Sequence, residues 1–141
     1  MENMPPPPVP PSKHPEGFDG IEPTAQMLGR FQPWHEGHTA LFERILETEA
    51  KQVCILIRHM PIDDNNPLQP HEVGKYIEDA LKVKGYTQFK DFVIMIVPNI
   101  INISYGRDVG YTFTKHDLGE EIHSISATKI RAENEKNIQN E

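Results

Sequence analysis

Residues 25–29 (AQMLG) make a short apolar run, and the following RFQPWHEGH breaks it with Pro33 and Gly37. That pattern predicts a buried first strand that hands over to a loop. From about His35 to Ala50 the period turns helical. Leu41, Ile45 and Leu46 fall on one face, with Phe42 at its edge. Residues 52–58 (QVCILIR) form an unbroken apolar run rich in β-branched side chains, which suits a strand buried on both faces. Residues 61–70 (PIDDNNPLQP) have the composition of a loop. Over 71–84 the stripe Val73, Ile77 and Leu81, with Tyr76 and Ala80 beside it, predicts a second helix that stops at Gly85. Residues 91–97 (DFVIMIV) predict another buried strand, ended by Pro98. The stretch 99–110 has no clear period. Tyr111 to Thr114 alternate weakly and suggest a short strand, and a last helix is expected from about Ser126.

Strands that alternate with helices imply right-handed crossovers and a parallel sheet. The expectation is a compact α/β domain with a sheet of about four or five strands and flanking helices. In open sheets of this kind ligands sit beyond the carboxyl ends of the strands. The loop after Gly29 and the helix N-termini are therefore the places to look for chemistry.

Composition changes this picture mainly at the ends. Seven of the 13 prolines lie within the first 15 residues. Residues 1–24 read as a disordered Pro-rich leader, residues 25–133 as the folded domain, and residues 134–141 as a polar tail. The net charge of −7, from 14 basic and 21 acidic residues, argues against nonspecific nucleic-acid binding. A small phosphorylated ligand needs only a few local cations and backbone N–H groups, so the charge does not exclude one. The lone Cys54 lies in an apolar run and reads as a buried strand residue. No apolar stretch reaches the roughly 20 residues of a membrane span. These features together predict a cytoplasmic protein with no membrane partner, and self-association is left open.

The candidate chemistry lies in Gly29-Arg30-Phe31-Gln32-Pro33-Trp34-His35-Glu36-Gly37-His38. His35 and His38 are three apart, so a helix starting near His35 puts both rings on its first turn. The free N–H groups and the dipole of that turn already favour an anion. Imidazoles there can donate to phosphate oxygens, and Gly37 and Gly29 open the backbone to a nucleotide. The alternatives are a zinc pair, which lacks further ligands at a familiar spacing, and ordinary surface histidines. Arg58 ends its strand toward the predicted site, and Arg107 lies in the irregular stretch; both are weaker candidates for a substrate phosphate or carboxylate. Asp63 and Asp64 read as a solvated acidic turn.

GRFQPWHEGH resembles the HxGH signature of the nucleotidylyltransferase superfamily, and its longer GRFQP form is most similar to the nicotinamide-nucleotide adenylyltransferase branch. Downstream, Ser124-Ile125-Ser126-Ala127-Thr128-Lys129-Ile130-Arg131 resembles that superfamily's ISxTxIR motif. Asn66-Pro67-Leu68 resembles, more weakly, its NPF-type loop. The resemblance implies a Rossmann-like cytidylyltransferase-type domain. It implies that His35, His38 and Lys129 act in catalysis. It further implies that Gly29, Arg30, Phe31, Gln32, Gly37, Ser126, Thr128 and Arg131 contact the nucleotide, with Mg2+ carried on the triphosphate.

The expected activity is transfer of AMP or CMP from a nucleoside triphosphate to a phosphorylated small molecule, with release of pyrophosphate. Between Pro98 and Tyr111 the chain is shorter than in the adenylyltransferase branch, which spends another strand and helix there. That shortening motivates the second expectation, a nucleotide-binding sensor or accessory domain without turnover.

Overall fold

The computed structural model describes residues 13–107, 110 and 112–116. The element order is β1 (Thr24–Gly29), α1 (Glu36–Ile45), β2 (Gln52–Arg58), α2 (Pro70–Val83) and β3 (Phe92–Val97). The three strands form one sheet in the order β1-β2-β3, and both pairings are parallel. Met27 lies level with Ile55, and Ile55 with Ile94. This register sets Val53, Ile55 and Ile57 on one face of the central strand. Against that face pack Phe42 and Ile45 of α1 and Val73, Ile77 and Leu81 of α2. Each such side chain, once buried, stabilises the fold by roughly 1.5–3 kcal/mol. The opposite face carries Cys54 and Leu56, which are only partly buried, and Met95, which is exposed. The predicted strands and helices through residue 97 are thus present, each within a residue or two at its start.

α1 is shorter than the helical period suggested. It ends at Ile45 because the next turn satisfies the last carbonyls from outside. The Thr48 hydroxyl donates to the Ile45 carbonyl at 2.6 Å, and Lys51 Nζ donates to the Thr48 carbonyl at 2.7 Å. α2 opens with Pro70 in its first turn, where a missing N–H costs nothing. Glu72 Oε1 accepts the Gln69 N–H at 3.0 Å. Gly85, at φ +95°, turns the chain out of α2, a backbone conformation that L side chains resist.

Among the described residues the sheet has three strands, not the four or five expected. Residues 112–114, read as part of a further strand, form no ladder and are exposed. Their alternation is too brief to bury a face, so nothing rewards pairing. The helix expected from Ser126 and the tail 134–141 lie outside the described residues. Among the described residues no helix is long and apolar enough to cross a membrane.

Residues 13–23, grouped with the leader by composition, lie against the body of the domain. Phe18 is buried, and its N–H donates to the Phe89 carbonyl at 2.8 Å. The His14 ring stacks on Phe89 at 4.5 Å. Gln52, the first residue of β2, uses its whole amide here. Its Nε2 donates to the Asp19 carbonyl at 2.6 Å and to Thr24 Oγ1 at 2.7 Å, and its Oε1 accepts the Asp19 N–H at 3.2 Å. One aromatic anchor and one buried amide hold a segment that has no periodicity to betray it. Gln52→Ala should therefore destabilise the fold by about 1–3 kcal/mol, the usual cost of stranding buried polar groups. Urea denaturation followed by circular dichroism measures it, and a loss under about 0.5 kcal/mol would refute the clamp.

Candidate functional site

The site begins where β1 ends. Phe31 has φ +50°, which folds its ring back over Gly29. A Cβ at Gly29 would lie 2.8 Å from that ring. Gly29 therefore makes room for Phe31. Phe31 in turn packs on Trp34 at 5.0 Å and meets His38 edge-on at 5.0 Å. Trp34 Nε1 donates to the buried Thr39 hydroxyl at 2.8 Å, which pins the indole against α1.

Gln32 is buried and serves as a bracket. Its Nε2 donates to the Leu68 carbonyl at 3.1 Å, and its Oε1 accepts the Leu68 N–H at 2.9 Å. The loop after β1 is thereby bolted to the loop before α2. Phe31 and Gln32, expected to contact a nucleotide, are buried and support the loop that carries the histidines.

His35 and His38 start α1 and cap it reciprocally. His35 Nδ1 accepts the Gly37 N–H at 3.0 Å, and His38 Nδ1 accepts the His35 N–H at 3.0 Å. The two rings stack at 3.8 Å. An Nδ1 that accepts a hydrogen bond carries no proton, so the hydrogen of each neutral ring sits on Nε2. Burial among Phe31, Trp34 and His35 disfavours the charged form of His38 and pushes its pKa down to about 3, with the neighbouring His35 a smaller cause. His35 is also lowered, chiefly by burial and partly offset by Glu36. The result is a pair of neutral Nε2–H donors at a helix N-terminus, where the dipole favours an anion.

Two arginines lie at the same end of the sheet. Arg30 follows Gly29 and Arg58 follows Ile57, and Gly29 and Ile57 are the last level pair of the β1–β2 ladder. The arginines therefore leave adjacent strands together, at the carboxyl end of the sheet. Arg30 Nη1 donates to Asn66 Oδ1 at 3.4 Å, and Arg58 Nη2 donates to Asn99 Oδ1 at 2.8 Å. Arg107 is exposed beyond β3, and no contact among the described residues joins it to this group. Ser126, Thr128, Lys129 and Arg131 lie outside the described residues.

No family model, curated protein or solved structure matches the chain. The reading of the site therefore rests on its own geometry and on the motif resemblance.

Sequence reasoning passed over Thr39 and Asn99, and it quoted Trp34 and Asn66 within motifs without giving either a role. Asn66 was legible in part: an Asp three residues before an Asn, next to proline, is a turn signal. Asp63 indeed accepts the N–H groups of Asn65 and Asn66 at 2.9 and 2.8 Å. A shallow depression of about 360 Å³ lies elsewhere, toward the C-terminal half of α2, lined by Lys75, Tyr76, Asp79, Ala80 and Val83. Its charged residues satisfy each other, Lys75 pairing with Asp79 at 3.0 Å.

The histidine cap makes stability depend on pH. His38 is lowered from 6.5 to about 3, so the unfolded chain takes up its proton first as the solution is acidified. The stability that neutral His38 contributes is complete above pH 6.5 and is lost as pH falls toward 3. Wild type should lose more stability over this window than His38→Asn, which has no proton to gain. Chemical denaturation at stepped pH measures both slopes, and equal slopes would remove His38 from the acid response.

Proposed function

We propose that the domain is a nucleotidylyltransferase that moves AMP, or CMP, from a nucleoside triphosphate to a phosphorylated small molecule. One observation carries this reading: two neutral imidazoles, both fixed as Nε2–H donors, stand at the first turn of α1 beyond a parallel strand. Such donors favour charge on phosphate oxygens without a change of protonation. An oxygen of the acceptor's phosphate attacks the α-phosphorus. The bond from that phosphorus to the oxygen bridging to the β-phosphate breaks, and pyrophosphate leaves with the electron pair. The protein supplies alignment and charge stabilisation and needs no nucleophile of its own.

His35 and His38 serve the oxygens of the reacting phosphate. By the motif resemblance, Thr128, Lys129, Arg131 and the Ser126 turn hold the departing pyrophosphate. Magnesium fits as a passenger on the triphosphate, because the donors on this side are imidazoles and guanidinium groups that serve phosphate oxygens directly. It supplies neutralising charge when bound. The GRFQP string favours adenylyl transfer, and the compact length keeps cytidylyl transfer in view.

The second reading, a nucleotide-binding module without turnover, is favoured by one feature. Phe31 and Gln32 are consumed in holding the loop, which leaves fewer side chains at the site for a base or an acceptor. Pyrophosphate release decides between the two readings. With ATP or CTP and a panel of phosphorylated acceptors, release above background is expected. His38→Ala should cut it by about 100-fold, the cost of losing one donor to a developing oxyanion. A melting curve on the same sample separates this loss from that of the helix cap, and a folded variant at full rate would overturn the assignment. Lys129→Ala should weaken triphosphate binding more than monophosphate binding in calorimetry. An equal loss for both would take Lys129 away from the leaving group.

A further inference from the structure

Arg30 and Arg58 are tied to asparagines, where surface arginines are commonly paired with carboxylates. Among the described residues neither forms an ion pair, although the chain carries an excess of acidic residues. Asn66 is buried, and its amide is fixed in one orientation. Its Nδ2 donates to Asp63 Oδ1 at 2.9 Å, so its Oδ1 must face the other way, and it accepts from Arg30. The carboxylate of Asp63 is itself occupied by three donors of its own turn: the Asn65 and Asn66 N–H groups and Asn66 Nδ2. Asn66 thus stands between an acid and a base, passing on a hydrogen bond while withholding the charge. Asn99 likewise offers Arg58 a neutral acceptor, its Oδ1 taking a hydrogen bond from Arg58 Nη2.

We propose that Arg30 and Arg58 form one subsite for the phosphate dianion of a small ligand, with Asn66 and Asn99 as positioning residues that orient the guanidinium groups without neutralising them. Two observations converge on this: both arginines leave adjacent strands at the carboxyl end of the sheet, and both are held through neutral oxygens. A guanidinium presents its N–H groups in a plane that matches the oxygens of a phosphate, and the two arginines start from neighbouring backbone positions. The inference rests on the proposed transferase only for which phosphate is bound. The subsite itself is a matter of anion binding.

The test uses the full chain and inorganic phosphate, titrated in a calorimeter at low and at moderate salt. Asn66→Asp and Asn99→Asp keep the shape and the hydrogen-bond acceptor while adding the negative charge that the wild type withholds. Each should weaken phosphate binding by about tenfold or more, the scale of a charged hydrogen bond, and should flatten its salt dependence. Asn99→Ala, which removes the acceptor without adding charge, should cost less than Asn99→Asp. Arg58→Gln should bind phosphate no better than the Asp variants. Melting curves accompany every variant. Because Asn66→Asp also faces Asp63 and is the one at risk of unfolding, the exposed Asn99 pair decides the matter alone if it does.

Phosphate affinity unchanged in a folded Asn99→Asp would overturn the proposal, as would equal losses in the Ala and Asp variants, since those mark a merely structural role. Repeating the titration with a non-hydrolysable ATP analogue present tells the sources apart. Phosphate that still binds identifies the acceptor's phosphate, and competition identifies the triphosphate; either supports the subsite. Turnover without charge-sensitive phosphate binding would sink this inference and spare the transferase. Charge-sensitive binding without turnover would do the reverse.

Discussion

Two hydrogen bonds at the start of α1 govern the rest of the molecule's working end. His35 accepts from Gly37, and His38 accepts from His35. A side-chain cap of this sort typically contributes about 1 kcal/mol to a helix. Here it has a second effect, because an imidazole that accepts through Nδ1 has its tautomer chosen. Helix formation and donor presentation are one event. The aromatic packing of Phe31 and Trp34 around His38 then holds that ring neutral far below the usual range. The ring's own basicity is given up for a fixed donor, a trade that suits stabilising charge on an oxygen and does not suit moving protons at neutral pH.

The supports behind this pair follow a consistent logic. Gly29 yields its Cβ space to Phe31, and Gln32 spends both ends of its amide on Leu68. Two loops far apart in sequence are thereby locked to each other at the carboxyl end of the sheet. Such rigid mounting is what a site needs when its contribution is alignment of a bound phosphate. The motif GRFQP is thus mostly scaffold, with Arg30 as its outward-facing member.

Much of the fold was readable from period alone. QVCILIR and DFVIMIV are dense in β-branched side chains, and the Val73–Ile77–Leu81 stripe admits only one helical face. The end of α1 was not readable in the same way, because Leu46 continues the apolar pattern while Thr48 and Lys51 close the helix through carbonyl bonds. At the candidate site, the place of the histidine pair at the start of α1 and of Arg58 at the end of β2 was legible. The division of labour among them was not. Whether Phe31 touches a ligand or a glycine depends on one positive φ, and whether Asn66 is a turn former or a guide for Arg30 depends on which way its amide faces. Composition assigned residues 13–23 to a leader for a similar reason, since a single buried phenylalanine leaves no period.

The Gln52 clamp gives the domain a polarity. It fastens Asp19 and Thr24 at the amino ends of the strands, whereas His35, Arg30 and Arg58 gather at the carboxyl ends. The fastening of Asp19 and Thr24 and the histidine cap of α1 therefore lie at opposite poles of the sheet. A substitution that loosens one pole leaves the hydrogen bonds of the other in place, so the two ends of the domain can be perturbed separately.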